Sequence, residues 1–182
     1  MACISCNTLN TTITYNSLKY CKKCFDQMKN MFNIYSNNVI RDKTYDPPVQ
    51  ITDNVYIGNI NSVDPKKLRE LDINHIIIAG KNLINENHNG FNVLELIMDD
   101  SFEQELVSNI KLANYYIKSI GSSKVLIHCY SGISRSGSIL IGYLMEVNNM
   151  TYNEAYSFVK KIYPKVFPNE NFQNQLTNLE CK

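Results

Sequence analysis

The run Val125-Leu126-Ile127-His128-Cys129-Tyr130-Ser131-Gly132-Ile133-Ser134-Arg135-Ser136 constrains this chain more than any other stretch. An apolar, β-branched segment ends in a cysteine. A short loop with one glycine follows, and after Arg135 comes an apolar run of helical length. The pattern predicts a buried strand, a tight loop and the N-terminus of a helix. Such a loop turns several backbone N–H groups inward, and the helix dipole adds positive potential at the same place. Arg135 contributes a planar fork matched to two oxygens of a phosphate. A thiol at the floor of that cradle sits where its anion is favoured, so Cys129 is the candidate nucleophile. The amides of Tyr130, Ser131, Gly132, Ile133 and Ser134, with the Arg135 fork, are the candidate groups for the equatorial oxygens of a phosphate. The bland alternative, an inert buried thiol at a strand end, leaves Gly132, Arg135 and Ser136 unexplained at these spacings.

Written as His-Cys-Tyr-Ser-Gly-Ile-Ser-Arg-Ser, the stretch has the form HCxxGxxRS. It resembles the signature of the cysteine-dependent protein tyrosine phosphatases, and more closely that of their dual-specificity branch, with Ser131 in place of the usual alanine. The segment Gln50–Asn59 looks like the opening strand of that branch. Tyr143-Leu144-Met145 and Phe167-Pro168-Asn169-Glu170-Asn171-Phe172 look like its C-terminal helices, so the likeness runs from about Val49 to Leu179. It implies an α/β fold with a central, mainly parallel sheet flanked by helices. It also implies hydrolysis of phosphotyrosine and phosphoserine or phosphothreonine in proteins through a phosphocysteine intermediate, with no cofactor for the chemistry. By the same resemblance, Ser136 hydrogen-bonds the thiolate and helps it leave. His128 holds the loop and favours the thiolate while pointing away from substrate.

Hydrolysis of a phosphomonoester also needs a proton for the leaving oxygen. Asp99 and Asp100 are the candidates. Aligned on the apolar positions of the following helix, Asp100 matches the general acid of the family, 129 − 100 = 29 residues before the nucleophile. Asp99 is the alternative, and a solvated acidic pair at a helix N-terminus is the non-catalytic reading. Ser101 and Gln104 fit a capping box, which predicts a helix starting directly after the two carboxylates. Leu106, Ile110, Ala113 and Ile117 recur on one face of that helix and are expected to pack on the sheet. Elsewhere, Asp64 and Pro65 read as the N-cap and first position of a helix. Thr151 and Glu154 read as a capping box, and a last helix is expected from about Glu170. His75, at the edge of an apolar strand, reads as structural. His88, among Asn and Gly in a loop, reads as solvated.

The first residues lie outside the resemblance. Cys3-Ile4-Ser5-Cys6 and Cys21-Lys22-Lys23-Cys24 are two CxxC pairs flanking a short strand-like segment. Two such turns can complete a tetrahedral S₄ site for a structural Zn²⁺ held by Cys3, Cys6, Cys21 and Cys24. So small a segment would draw its folding free energy from the metal. A tail with reduced thiols, or a redox CxxC, is the other reading. The expected organisation is a zinc module over 1–35, with a short helix near Asp26–Tyr35, a linker over 36–48, and a phosphatase catalytic domain over 49–180. The zinc module is a candidate docking element for a protein partner, and a phosphoprotein is the expected substrate.

Net charge is +1 with no long run of one sign, which argues against a nucleic-acid or membrane-surface binder. No basic segment followed by an apolar core opens the chain, and no apolar run approaches the ~20 residues of a membrane span. A cytoplasmic or nuclear, reducing compartment is expected, where six cysteines suggest metal binding or catalysis rather than disulfides. Two other functions stay open at this point. One is an inactive module that binds phosphate without turnover. The other is the same chemistry on a phosphoinositide or an RNA 5′-end.

Overall fold

The computed structural model describes residues 13–15, 18–20 and 44–179. The chain divides into two compact units, residues 1–43 and 44–182. The described part of the first is an antiparallel hairpin of β1 (Ile13–Tyr15) and β2 (Leu18–Tyr20). The four expected zinc ligands and the short helix expected near Asp26–Tyr35 lie outside the described residues.

The second unit is built on strands β3 (Val49–Gln50), β4 (Val55–Gly58), β5 (Ile73–Ala79), β6 (Asn92–Leu96) and β7 (Lys124–His128). They form one sheet in the order β3-β4-β7-β5-β6, parallel except for the two-residue edge strand β3. Helices α1 (Pro65–Glu70), α2 (Val107–Ser119), α3 (Arg135–Val147), α4 (Tyr152–Ile162) and α5 (Glu170–Leu179) cover both faces. The expected mainly parallel sheet flanked by helices is what this unit adopts.

The strands are apolar on both faces, as a sheet covered on two sides requires. Val55, Ile57, Ile77, Ala79, Val125 and Ile127 point to the larger core, which α2, α3, α4 and α5 complete. The alternate residues Tyr56, Ile76, Ile78 and Leu126 point the other way, toward Leu68 of α1. Ile73 shares that second face although an even separation from Ile76 would be needed in a regular strand. A register irregularity between Ile73 and His75 supplies the missing half-step. Leu106, Ile110, Ala113 and Ile117 are all buried, as their spacing predicts.

Helix starts follow local chemistry where the sequence carries a cap. Asp64 accepts from the Lys67 amide at 2.9 Å with Pro65 at the first position of α1, and Thr151 and Glu154 form a reciprocal capping box on α4. The capping box expected at Ser101 and Gln104 does not form. α2 starts later, at Val107, with no side-chain cap from its N-cap residue Leu106, and residues 99–105 run as a loop. Gln104 is used otherwise: its Oε1 accepts from the Asp99 amide at 2.8 Å and its Nε2 donates to the Glu105 carbonyl at 2.7 Å. Glu105 takes the capping role, its carboxylate accepting from the Ser108 amide at 3.1 Å.

Parallel registry brings Gly58, His128 and Ile78 to one level at the C-terminal ends of β4, β7 and β5. The loop after β7 leaves the sheet there, centrally, and feeds α3. Open parallel sheets bind ligands at that edge.

Candidate active site

Four carbonyls of the loop between β7 and α3 are held from outside. The Cys129 carbonyl lies 3.2 Å from His128 Nδ1, and the Tyr130 carbonyl accepts from the Ile60 amide at 3.2 Å. The Ile133 carbonyl accepts from the Phe167 amide at 2.9 Å, and the Ser134 carbonyl accepts from both the amide and the hydroxyl of Ser138 at 2.8 Å. Each peptide of the loop is trans, so each outward carbonyl sets the next N–H on the opposite side. The amides of Tyr130, Ser131, Ser134 and Arg135 are thereby turned to the interior of the loop. Gly132 closes the turn at φ +73°, where a Cβ would lie 2.5 Å from the Tyr163 hydroxyl and 2.9 Å from the Gly58 carbonyl oxygen.

Cys129 sits at the floor of this cradle, 1 % exposed. Its Sγ accepts from the Gly132 amide at 3.2 Å and lies 3.2 Å from the Ser136 hydroxyl. Arg135 opens α3, and its Nε is buried with no hydrogen-bond partner among the described residues. A buried guanidinium N–H left unmet is costly, and an anion in the cradle would meet it. The space for the fork comes partly from Gly80, since a Cβ there would stand 2.7 Å from Arg135 Nη1. Burial also raises the titration of the Tyr163 phenol, with smaller contributions from Asp46 and Cys129, so it stays neutral. The scaffold under the cradle includes Asp46, whose Oδ2 accepts from Asn59 Nδ2 at 2.6 Å and from Lys165 Nζ at 2.5 Å.

The two acidic candidates part company. Asp100 Oδ1 accepts from the Ser134 hydroxyl and from Asn169 Nδ2, each at 2.7 Å, and Oδ2 has no hydrogen-bond partner among the described residues. Asp99 turns to solvent and pairs with Lys81 Nζ at 2.5 Å. The loop carrying them is pinned by α5. Asn171 Nδ2 donates to the carbonyls of Ser101 (3.2 Å) and Gln104 (2.9 Å). Gln175 Nε2 donates to the Gln104 carbonyl and its Oε1 accepts from the Leu106 amide, both at 2.8 Å. Phe172 and Leu176, fully buried, anchor α5 in the core. Sequence reasoning misses Asn169, Asn171, Gln175 and Lys81. The signal it could have used is a set of amide side chains along a helix whose apolar stripe is already accounted for.

The histidines also divide. His75 Nδ1 lies 3.0 Å from the Tyr116 hydroxyl, a structural contact as expected. His128 is fully buried behind the cradle and points away from the pocket. His88, expected to be solvated, is instead 3 % exposed and stacks on His128, with the two Nε2 atoms 3.1 Å apart. Its partner lies 40 residues away, and nothing around His88 in the sequence signals that contact. Among the described residues, no group of three or more His, Cys, Asp or Glu converges on a point that could hold a metal ion.

Residues 55–182 match the family described as "Dual specificity phosphatase, catalytic domain". The chain is 33% identical over 138 residues to human "Dual specificity protein phosphatase 9", a match covering 73% of this chain and 36% of that protein. It is likewise 33% identical over 139 residues to "Putative tyrosine phosphatase 123R" of Invertebrate iridescent virus 6, covering 73% of this chain and 92% of that one. The chain thus spans about a third of the first curated relatives and nearly all of the viral one. Among solved structures, human tyrosine phosphatase-like serine/threonine/tyrosine-interacting protein superposes with a TM-score of 0.68 at 28% identity, covering 74% of this chain and 95% of that one. Human DUSP28 gives 0.70 at 18% identity, covering 75% and 95%, a likeness of fold.

Proposed function

This chain belongs to the dual specificity phosphatase catalytic-domain family, and from that premise we propose that it hydrolyses phosphotyrosine and, more slowly, phosphoserine and phosphothreonine in proteins. The observation that carries the reading is the buried Cys129 thiol between the Gly132 amide and the Ser136 hydroxyl, at the start of the helix that Arg135 opens with a buried Nε unmet among the described residues. The Cys129 thiolate attacks phosphorus and the P–O bond to the substrate breaks. The loop amides from Tyr130 to Arg135 and the Arg135 fork carry the charge of the three equatorial oxygens. Asp100 gives its proton to the leaving oxygen. In the second step Asp100, now a carboxylate, takes a proton from water as that water attacks phosphorus. The P–S bond breaks, and the Ser136 hydroxyl donates to the departing thiolate.

Asp100 is preferred to Asp99 because its anchor is the catalytic loop itself, through Ser134, whereas Asp99 is engaged outside by Lys81. A Cys129→Ser chain is the direct test. It should fold, bind phosphopeptide and lose turnover; retained activity would sink the mechanism. Trapping with the same variant in lysate reports whether the bound molecules are phosphoproteins. The reaction needs a reducing compartment, the cytoplasm or nucleus.

The rest of the organisation is proposed on the sequence pattern: residues 1–35 as a zinc module, 36–48 as a linker and 49–180 as the catalytic domain. One structural Zn²⁺ held by Cys3, Cys6, Cys21 and Cys24 is supported by the paired spacing and by the β1–β2 hairpin lying between the two pairs. In this proposal the module docks a protein partner. Elemental analysis of the reduced chain should give about one zinc per chain, and removing residues 1 to about 40 should abolish it while sparing most activity on a small aryl phosphate. A zinc-free reduced chain would refute the site.

A further inference from the structure

The four outward carbonyls of the catalytic loop are not held by equivalent donors. Those of Tyr130, Ile133 and Ser134 are held by main-chain amides, which always carry their hydrogen. That of Cys129 is held by an imidazole nitrogen, which carries one only in the right tautomer. The peptide concerned is the one whose N–H, on Tyr130, is the first amide of the cradle.

Proton accounting from the Cys129 carbonyl assigns the tautomers in turn. A carbonyl oxygen only accepts, so His128 Nδ1 must bear the hydrogen. Burial lowers the titration of both rings, that of His128 to about 4, so both are neutral near pH 7. A neutral ring has one N–H, and His128 Nε2 is therefore bare. Two nitrogens 3.1 Å apart attract only if one donates, so His88 Nε2 bears the hydrogen. His88 Nδ1 is then an acceptor, and the Asn85 amide points at it from 3.1 Å. His88 Nδ1 also lies 3.0 Å from the Asn85 side-chain oxygen and 3.3 Å from the Asn85 carbonyl, but that side-chain oxygen already accepts from the Asn87 amide at 3.0 Å, and the one hydrogen of the neutral ring is placed on Nε2 by the contact with His128. The chain of donation runs from Asn85 N–H through His88 and His128 to the carbonyl of the nucleophile.

We propose that His88 is a positioning residue: its Nε2–H keeps His128 in the Nδ1–H form, which holds the Cys129 carbonyl outward and aims the Tyr130 amide into the anion cradle. The assignment rests on the reading of Cys129 as the phosphate-facing thiolate. Without the His88 donor, the other tautomer of His128 becomes accessible. It sets a bare Nδ1 against the carbonyl oxygen, two acceptors 3.2 Å apart, and the peptide turns away. The cradle then loses one amide, and the thiolate loses part of what stabilises it.

Two measurements on the full chain test this. Imidazole ¹⁵N shifts should show His128 protonated at Nδ1 and His88 at Nε2; the reverse pattern, or averaging at either ring, overturns the proposal. Alkylation of Cys129 by iodoacetamide near pH 6 should slow roughly tenfold in His88→Phe, which keeps a flat ring but offers no donor. His88→Gln, whose terminal NH₂ falls near the position of Nε2, should restore the rate to within about threefold. Equal rates in Phe and Gln, or no change in Phe, overturn the assignment. The shifts are read on the unaltered chain and decide the matter even where a variant does not fold. Neither readout uses a phosphate ester. A chain that turns over no substrate yet shows these tautomers and this contrast upholds His88 and refutes the phosphatase reading.

Discussion

The catalytic loop and the acid-bearing loop meet at the hydrogen bond between Ser134 and Asp100, yet they are restrained in opposite ways. Residues 129–136 are held mainly through their own carbonyls by main-chain donors, with a glycine at the turn. Residues 99–106 are held by the side-chain amides of Asn169, Asn171 and Gln175 on or beside α5. Main-chain restraints survive substitution of the residues that provide them. Side-chain restraints vanish with one change of residue. The nucleophile therefore sits in a frame that is hard to detune except at its own carbonyl, which the His128 ring holds, and the proton donor in one that is easily loosened throughout.

The first way to break this contrast is at the nucleophile. Cys129→Ser should remove measurable turnover, and Arg135→Lys should lose roughly 10³-fold, because a point charge cannot replace the two-pronged fork. Both losses should be the same for phosphotyrosine and for an ester of a very acidic phenol. Next in size, Asp100→Asn should cost roughly 10²–10⁴ on phosphotyrosine and much less on the acidic phenol, whose oxygen leaves without help. A leaving-group-independent loss there would place Asp100 with the binding groups, and the same dependence in Asp99→Asn would move the acid by one residue.

Acid should weaken the fold behind the nucleophile. Unfolded His128 takes a proton near pH 6.5 but the folded ring only at about 4, so the unfolded state binds more protons between those values. Stability should fall as pH drops from 6.5 to 4, by about 3 kcal/mol from this group. Urea midpoints across that range measure it, and His128→Asn should flatten the slope. A smaller effect is expected of Gln175→Ala, which frees the Gln104 carbonyl and the Leu106 amide. About 1 kcal/mol, or roughly fivefold, should be lost on phosphotyrosine with little loss on the acidic phenol. Asp99→Asn should change either rate by less than about twofold, since an exposed pair with Lys81 contributes little.

The same division explains what the sequence discloses. The strand, glycine and arginine of residues 125–136 are contiguous, and so are the caps at Asp64 and Thr151, so local pattern suffices for them. The register of residues 99–106 is not local. Ser101 and Gln104 have the letters of a capping box, but Asn171 and Gln175, about 70 residues on, compete for their carbonyls and hold the segment open. His88 fails for the same reason. A histidine between asparagines and a glycine reads as a surface residue until β7 places a second imidazole against it.

The outward carbonyls have one more consequence. Because they are tied to the scaffold, the cradle does not need dismantling between cycles, and its donors are the same for an ester and for the inorganic phosphate left after hydrolysis. The floor of the pocket has no means of telling reactant from product. Product then leaves only by dissociating into water, any tetrahedral oxyanion in solution competes with the ester for the same donors, and the chain should work more slowly in phosphate buffer than in one without tetrahedral oxyanions.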